Sequence, residues 1–155
     1  MAKKKLYIAY GSNLNLRQMS RRCPDSSVAG KSVLEGYRLL FRGSDGCAVA
    51  TIEEYAGGKV PVLVWEITAE DERRLDRYEG YPYLYRKETI KVVLEGEEIK
   101  AMVYVMNPGR PLGEPNPYYY NTILEGYIDA GFDREVLDKA VRDSVEGYGK
   151  EEALC

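Results

Sequence analysis

The chain has 155 residues, enough for one domain with its own core and too few for two comfortable ones. An apolar content of 45% with 30% charged residues excludes a disordered chain, and a net charge of −3 leaves no basic footprint for nucleic acid. No apolar run approaches the roughly 20 residues that cross a bilayer, and LYIAY after MAKKK is too short for a signal segment, so a cytoplasmic protein without membrane contact is expected.

Lys5–Tyr10 reads as a short strand, after which Asn13 or Asn15 is placed to cap a helix running to about Arg22. Val33–Phe41 and Ala48–Tyr55 have strand composition, and Ala56-Gly57-Gly58 predicts a turn into a further strand, Val60–Ile67. Thr68 followed by Asp71 is a capping-box signature for a helix over Ala69–Glu79, with Gly80 at its C′ position. Thr89–Glu95 and Ile99–Met106 alternate around Glu95-Gly96-Glu97 as a hairpin. The proline-rich stretch Asn107–Pro117 is expected to be a surface loop. Asn121 or Thr122 then caps a helix to about Ala130, and Asp133 another with Val136, Leu137, Ala140, Val141 and Val145 on one apolar stripe. Hairpins interleaved with helices predict an α+β fold: a single domain over residues 1–155 with a curved, mainly antiparallel sheet.

The chain contains no histidine, which removes Ser-His and Cys-His nucleophilic pairs and imidazole metal sites. Cys23, Cys47 and Cys155 are scattered and odd in number, against both a disulfide framework and a thiolate metal site. A proton carrier in such a chain must be a carboxylate, a lysine or a tyrosine. Glu79 stands out among the carboxylates because it falls in the last turn of its predicted helix. An anion is disfavoured there by roughly 0.3–1 kcal/mol. Burial beside Tyr78, Tyr81, Tyr83 and Tyr85 would raise its pKa towards that of a general base, whereas pairing with Arg77 or Arg86 would make it an ordinary helix-end carboxylate.

Tyrosine occurs 14 times against 2 phenylalanines, clustered in YEGYPYLY and PNPYYYN. Such residues either pack as half-buried aromatics or line a polar pocket with hydroxyls. The turn Gly11-Ser12-Asn13-Leu14 either serves as a capped strand–helix corner or presents converging N–H groups to a carboxylate or oxyanion. It lacks the lysine and spacing of a nucleotide-binding loop.

YIAYGSNL, VWEIT, LDRYEGYPYLYRKETIKV, MVYVM and PNPYYYNTILEGYIDAGF, in that order along nearly the whole chain, resemble the gamma-glutamylcyclotransferase-like family. That family includes plant AIG2-like proteins and a butirosin-pathway member. The resemblance implies a small mixed barrel-like sheet with flanking helices and a small-molecule γ-glutamyl substrate. The implied reaction releases 5-oxoproline by attack of the substrate's own α-amine, without metal or cofactor. By the same resemblance Glu79 is the catalytic acid/base, and Tyr10 with the Gly11, Ser12, Asn13 and Leu14 turn holds the γ-glutamyl moiety. Tyr85, Tyr104 and Tyr119 fall at pocket-lining positions. γ-Glutamyl amino acids, γ-glutamyl-lysine-type amines and a biosynthetic γ-glutamyl protecting group are all compatible as substrates, and no motif addresses oligomeric state. Two rival readings are a non-catalytic ligand-binding module of the same fold and an interaction protein with an exposed tyrosine surface.

Overall fold

The computed structural model describes residues 3–147, so Cys155 lies outside the described residues. Its elements in chain order are β1 (Lys5–Ala9), a 3₁₀ turn (Ser12–Leu14), α1 (Leu16–Arg22), β2 (Ser27–Arg42), β3 (Val49–Ile67), α2 (Ala69–Glu79), β4 (Tyr85–Leu94), β5 (Glu97–Met106), α3 (Pro117–Ala130) and α4 (Arg134–Gly147). The five strands form one sheet in the order β2-β3-β1-β5-β4. All neighbours are antiparallel except β1 and β5, which meet in parallel at Tyr7 and Met102.

The sheet curls until its edges approach. A Cβ on Gly30 of β2 would lie 2.6 Å from Leu94 Cδ1 of β4, and Ser32 Oγ donates to the Val93 carbonyl. No ladder joins these two strands, so the sheet is barrel-like without closing. β1 occupies its centre, and Tyr7, Ile8 and Ala9 are buried in the core with Val64, Trp65, Val103 and Tyr104. No helix among the described residues is long and apolar enough to cross a membrane.

Where local chemistry dictates structure, the expected elements form. Thr68 and Asp71 exchange both capping-box bonds at 3.1 Å, and Gly80 ends α2 at φ 65°. The β4–β5 hairpin turns through Glu95 at φ 52° and Gly96 at φ 82°, the left-handed pair that suits the twist of a two-residue hairpin. Asn15, one of the two expected caps, starts α1 by accepting from the Gln18 N–H at 3.0 Å.

Three expectations are corrected. Ala56-Gly57-Gly58 does not reverse the chain: β3 runs through it, pairing with β2 at Tyr37–Glu54 and again at Glu35–Lys59. The glycines absorb a bulge, and a Cβ on Gly58 would strike the Tyr37 carbonyl oxygen at 2.2 Å. The helix after the proline-rich loop begins earlier than Asn121. Asn116 caps it by accepting from the Tyr119 N–H at 2.7 Å, with Pro117 in the first turn, where the N–H it lacks would have no helical partner. Val145 leaves the α4 stripe and is exposed, while Leu137, Ala140 and Ser144 face the core.

Candidate active site

Tyr7, Tyr10, Gly11, Ser12, Asn13, Ala50, Glu79, Tyr85, Tyr104 and Tyr119 surround one small cavity. Six separate parts of the fold build it: the end of β1 with its turn, the start of β3, the end of α2, and tyrosines from each of β4, β5 and α3. All the residues expected at the site except Leu14 lie on its wall. Leu14 is fully buried beneath α3, and its own N–H closes the turn on the Gly11 carbonyl at 3.0 Å. Tyr7 and Ala50 are not among the residues expected from sequence, because neither belongs to a tyrosine cluster or a glycine turn.

The backbone N–H groups of Gly11, Ser12 and Asn13 find no acceptor among the described residues. All three residues line the cavity, so these N–H groups are donors without a partner at its wall. A Cβ on Gly11 would press on Ala50 Cβ at 3.2 Å and touch the Tyr119 hydroxyl at 3.7 Å, so the turn lies close against β3 and α3.

Glu79 is half-buried, and its Oε1 accepts from Asn13 Nδ2 at 3.3 Å. Loss of hydration pushes its pKa up from 4.5 to about 7, although the nearby Arg22 charge and the Asn13 bond both pull downward. Its neighbouring cation is therefore Arg22 of α1, while Arg86 is engaged with Glu88 at 2.7 Å and with the Met106 carbonyl. Arg22 also donates to Asn13 Oδ1 and stacks 3.4 Å above the Tyr78 ring. The tyrosines around Glu79 differ from those nearest in sequence. Tyr78, Tyr81 and Tyr83 are exposed, because the chain turns at Gly80 with the Leu84 N–H on the Gly80 carbonyl, and only Tyr85 of that run reaches the cavity.

Burial drives the phenols of Tyr7, Tyr10, Tyr85, Tyr104 and Tyr119 further above their ordinary pKa. Glu79 is thus the group on this wall that exchanges a proton near neutrality. Among the described residues no group of three or more His, Cys, Asp or Glu side chains is placed to hold a metal.

A larger groove of ≈ 740 Å³ lies on the other face of the β4–β5 hairpin, lined by Arg86, Glu88, Ile90, Val103 and Val105. These residues alternate along the strands with Tyr85 and Tyr104, so the two concavities are on opposite faces. The smaller cavity, which sets the Glu79 carboxyl beside the Gly11–Asn13 turn, is the better setting for proton transfer.

Two measurements follow from this geometry. Glu79 binds its proton more tightly in the folded state, so its contribution to stability is present at low pH and is lost as pH rises from about 4.5 to about 7. Glu79→Gln removes this dependence: denaturation midpoints of variant and wild type should converge near the lower limit, with the variant gaining on wild type up to the higher one. The second concerns Gly126 of α3. A methyl there would sit 2.7 Å from Leu14 Cβ and 2.8 Å from the Leu14 carbonyl carbon. Helix propensity favours alanine over glycine by about 1 kcal/mol, but overpacking against backbone costs about 1–3 kcal/mol. Gly126→Ala should therefore lower the melting temperature and displace the Gly11–Leu14 turn, visible as weaker ligand binding.

The sequence model of the gamma-glutamyl cyclotransferase, AIG2-like family matches residues 7–123. The chain belongs to this family. Human gamma-glutamylcyclotransferase is 30% identical over 143 residues, which cover 86% of this chain and 76% of that protein. A solved gamma-glutamyl cyclotransferase structure superposes with a TM-score of 0.76 at 28% identity, covering 89% of this chain and 86% of that one. YkqA from Bacillus subtilis shares the fold, with a TM-score of 0.76 at 23% identity over 92% of this chain and 54% of that one. The family match spans the turn, Glu79 and the four cavity tyrosines expected from sequence, Tyr10, Tyr85, Tyr104 and Tyr119.

Proposed function

We propose that the chain is a γ-glutamylcyclotransferase that releases 5-oxoproline from a γ-glutamyl amine or amino acid, with Glu79 as general acid/base. The observation that carries this reading is a carboxyl lifted to about 7, facing a turn with three unclaimed N–H groups in one cavity. Family membership supports it, since relatives carry that activity in their names.

In the reaction the α-amine attacks the γ-carbonyl carbon, a C–N bond closes the five-membered ring, and the original γ-amide C–N bond breaks. An α-ammonium group has no lone pair and must first lose a proton. From an amine near pKa 8, an unperturbed glutamate is a poor acceptor by roughly 5 kcal/mol, whereas a glutamate at about 7 narrows the gap to about 1.4 kcal/mol. The proton taken by Glu79 then passes to the departing amine nitrogen. The Gly11–Asn13 amides and the Tyr7 and Tyr119 hydroxyls are donors available to the substrate carboxylate and to the oxyanion.

The free volume of the cavity, ≈ 20 Å³, is about the space of one water molecule. A γ-glutamyl group is several times larger, so it enters by parting wall contacts. The Ser12 Oγ to Tyr78 hydroxyl bond of 2.9 Å, with Tyr78 exposed, is the contact best placed to open. The testing experiment is a panel of γ-glutamyl amino acids and amines assayed for 5-oxoproline. Formation of 5-oxoproline from at least one is expected. Binding without product would identify a ligand-binding module instead.

A further inference from the structure

The direction of each phenol proton in the cavity can be read from partners that only accept or only donate. Tyr104 sends its proton to Asp76 Oδ1 at 2.6 Å, Tyr85 to the Ala50 carbonyl at 2.6 Å, and Tyr10 to the Tyr104 carbonyl at 2.7 Å. These acceptors have no hydrogen to return. Tyr119 instead receives the Ala50 N–H at 3.0 Å, and Tyr7 receives Asn13 Nδ2 at 2.7 Å. The sense of the Asn13 amide follows from Arg22, which can only donate and occupies its oxygen. Tyr7 and Tyr119 therefore keep a proton to offer, while Tyr10, Tyr85 and Tyr104 offer lone pairs.

Of these, the Tyr104 orientation is set by a side chain from a different element. Asp76 lies one turn before Glu79 on the same face of α2. Lys87 clamps it, with Nζ 2.9 Å from Oδ1 and 3.0 Å from Oδ2, and holds Glu72 at 2.7 Å. Lys87 also lies 4.2 Å from the centre of the Tyr81 ring, which packs edge-on to Tyr104. Asp76 is absent from the cavity wall and acts only through the phenol it holds.

We infer that Asp76 is a positioning residue: by taking the Tyr104 proton it makes the Tyr104 oxygen a pure acceptor, which receives the α-ammonium of the substrate beside Glu79. This rests on the γ-glutamyl reading above. It orients the substrate by polarity, the ammonium towards α2 and β5, the carboxylate and γ-carbonyl towards the Gly11–Asn13 amides and Tyr119. A freely rotating phenol would donate to the carboxylate as readily and lose that discrimination.

Asp76→Asn tests this at constant shape. Lys87 can only donate, so it takes the amide oxygen and turns the NH₂ towards Tyr104, reversing the phenol. KM for the γ-glutamyl substrate should rise about tenfold or more, as for a lost hydrogen bond to a charged group. kcat should change much less, and the pH limb of Glu79 should stay in place. In a Tyr104→Phe background, D76N should add nothing further. An unchanged KM, or an equal effect in that background, overturns the role of Asp76 while leaving the enzyme reading intact. If D76N does not fold, Y104F carries the test, and an unchanged KM in Y104F overturns the inference. A wild-type protein that yields no 5-oxoproline from any γ-glutamyl compound overturns the functional reading and this inference with it.

Discussion

Glu79→Gln is expected to lower kcat by about 10²–10⁴-fold, the usual contribution of a positioned general base. Glutamine keeps the shape of the side chain and an oxygen for Asn13 Nδ2, which lies 3.3 Å from Glu79 Oε1, so the cavity wall is preserved. It cannot take a proton from the ammonium, so the loss should fall on kcat with little change in KM. In the wild type, kcat/KM should rise with pH through about 7, because Glu79 must be ionised to act as a base in the free enzyme. That limb should vanish in the variant. The same substitution removes a charge from the carboxyl end of α2, where an anion is unfavourable, so the variant should be no less stable near neutral pH. Near wild-type turnover in E79Q would assign the proton transfer to another group.

N-Acetylation of the substrate α-amine is expected to abolish turnover. The nucleophile of the proposed reaction is that nitrogen, and an acetamide nitrogen has its lone pair delocalised into the carbonyl. It also has no ammonium charge for the acceptor side of the cavity, so binding should weaken but persist through the carboxylate and γ-carbonyl. Competition assays with the acetylated compound measure the residual binding, and product analysis measures the chemistry. Continued turnover with release of N-acetylglutamate would establish external water as the nucleophile, and the ring-closing mechanism would be wrong. Free glutamate released from the unmodified substrate would likewise point to water.

An exposed tyrosine surface, the rival reading, accounts for only part of the clusters. Tyr78, Tyr81, Tyr83 and Tyr118 are exposed, but Tyr10, Tyr85, Tyr104 and Tyr119 turn inward on one cavity. The PYYYN run shows why a cluster is ambiguous in sequence. Successive helical residues point about 100° apart, so Tyr118 faces solvent, Tyr119 enters the cavity, and Tyr120 bonds to Asp138.

Features decided within a few residues were legible before any fold was known. The Thr68–Asp71 box, Gly80 after α2 and the Glu95-Gly96 turn follow from capping chemistry and left-handed backbone preference. The absence of histidine limited the proton carrier to a few residue types, and the position of Glu79 at a helix end singled out one of them. What only the tertiary structure decided is the environment of that carboxyl. Asn13 comes from 66 positions away, and Arg22 from another helix. The link from Asp76 to Tyr104 crosses from helix to sheet, and Gly126 meets Leu14 only because α3 lies on the turn. Helix caps and turns draw their energy from neighbours along the chain. Desolvation, proton direction and close packing depend on groups that the sequence holds far apart and that the fold alone brings together.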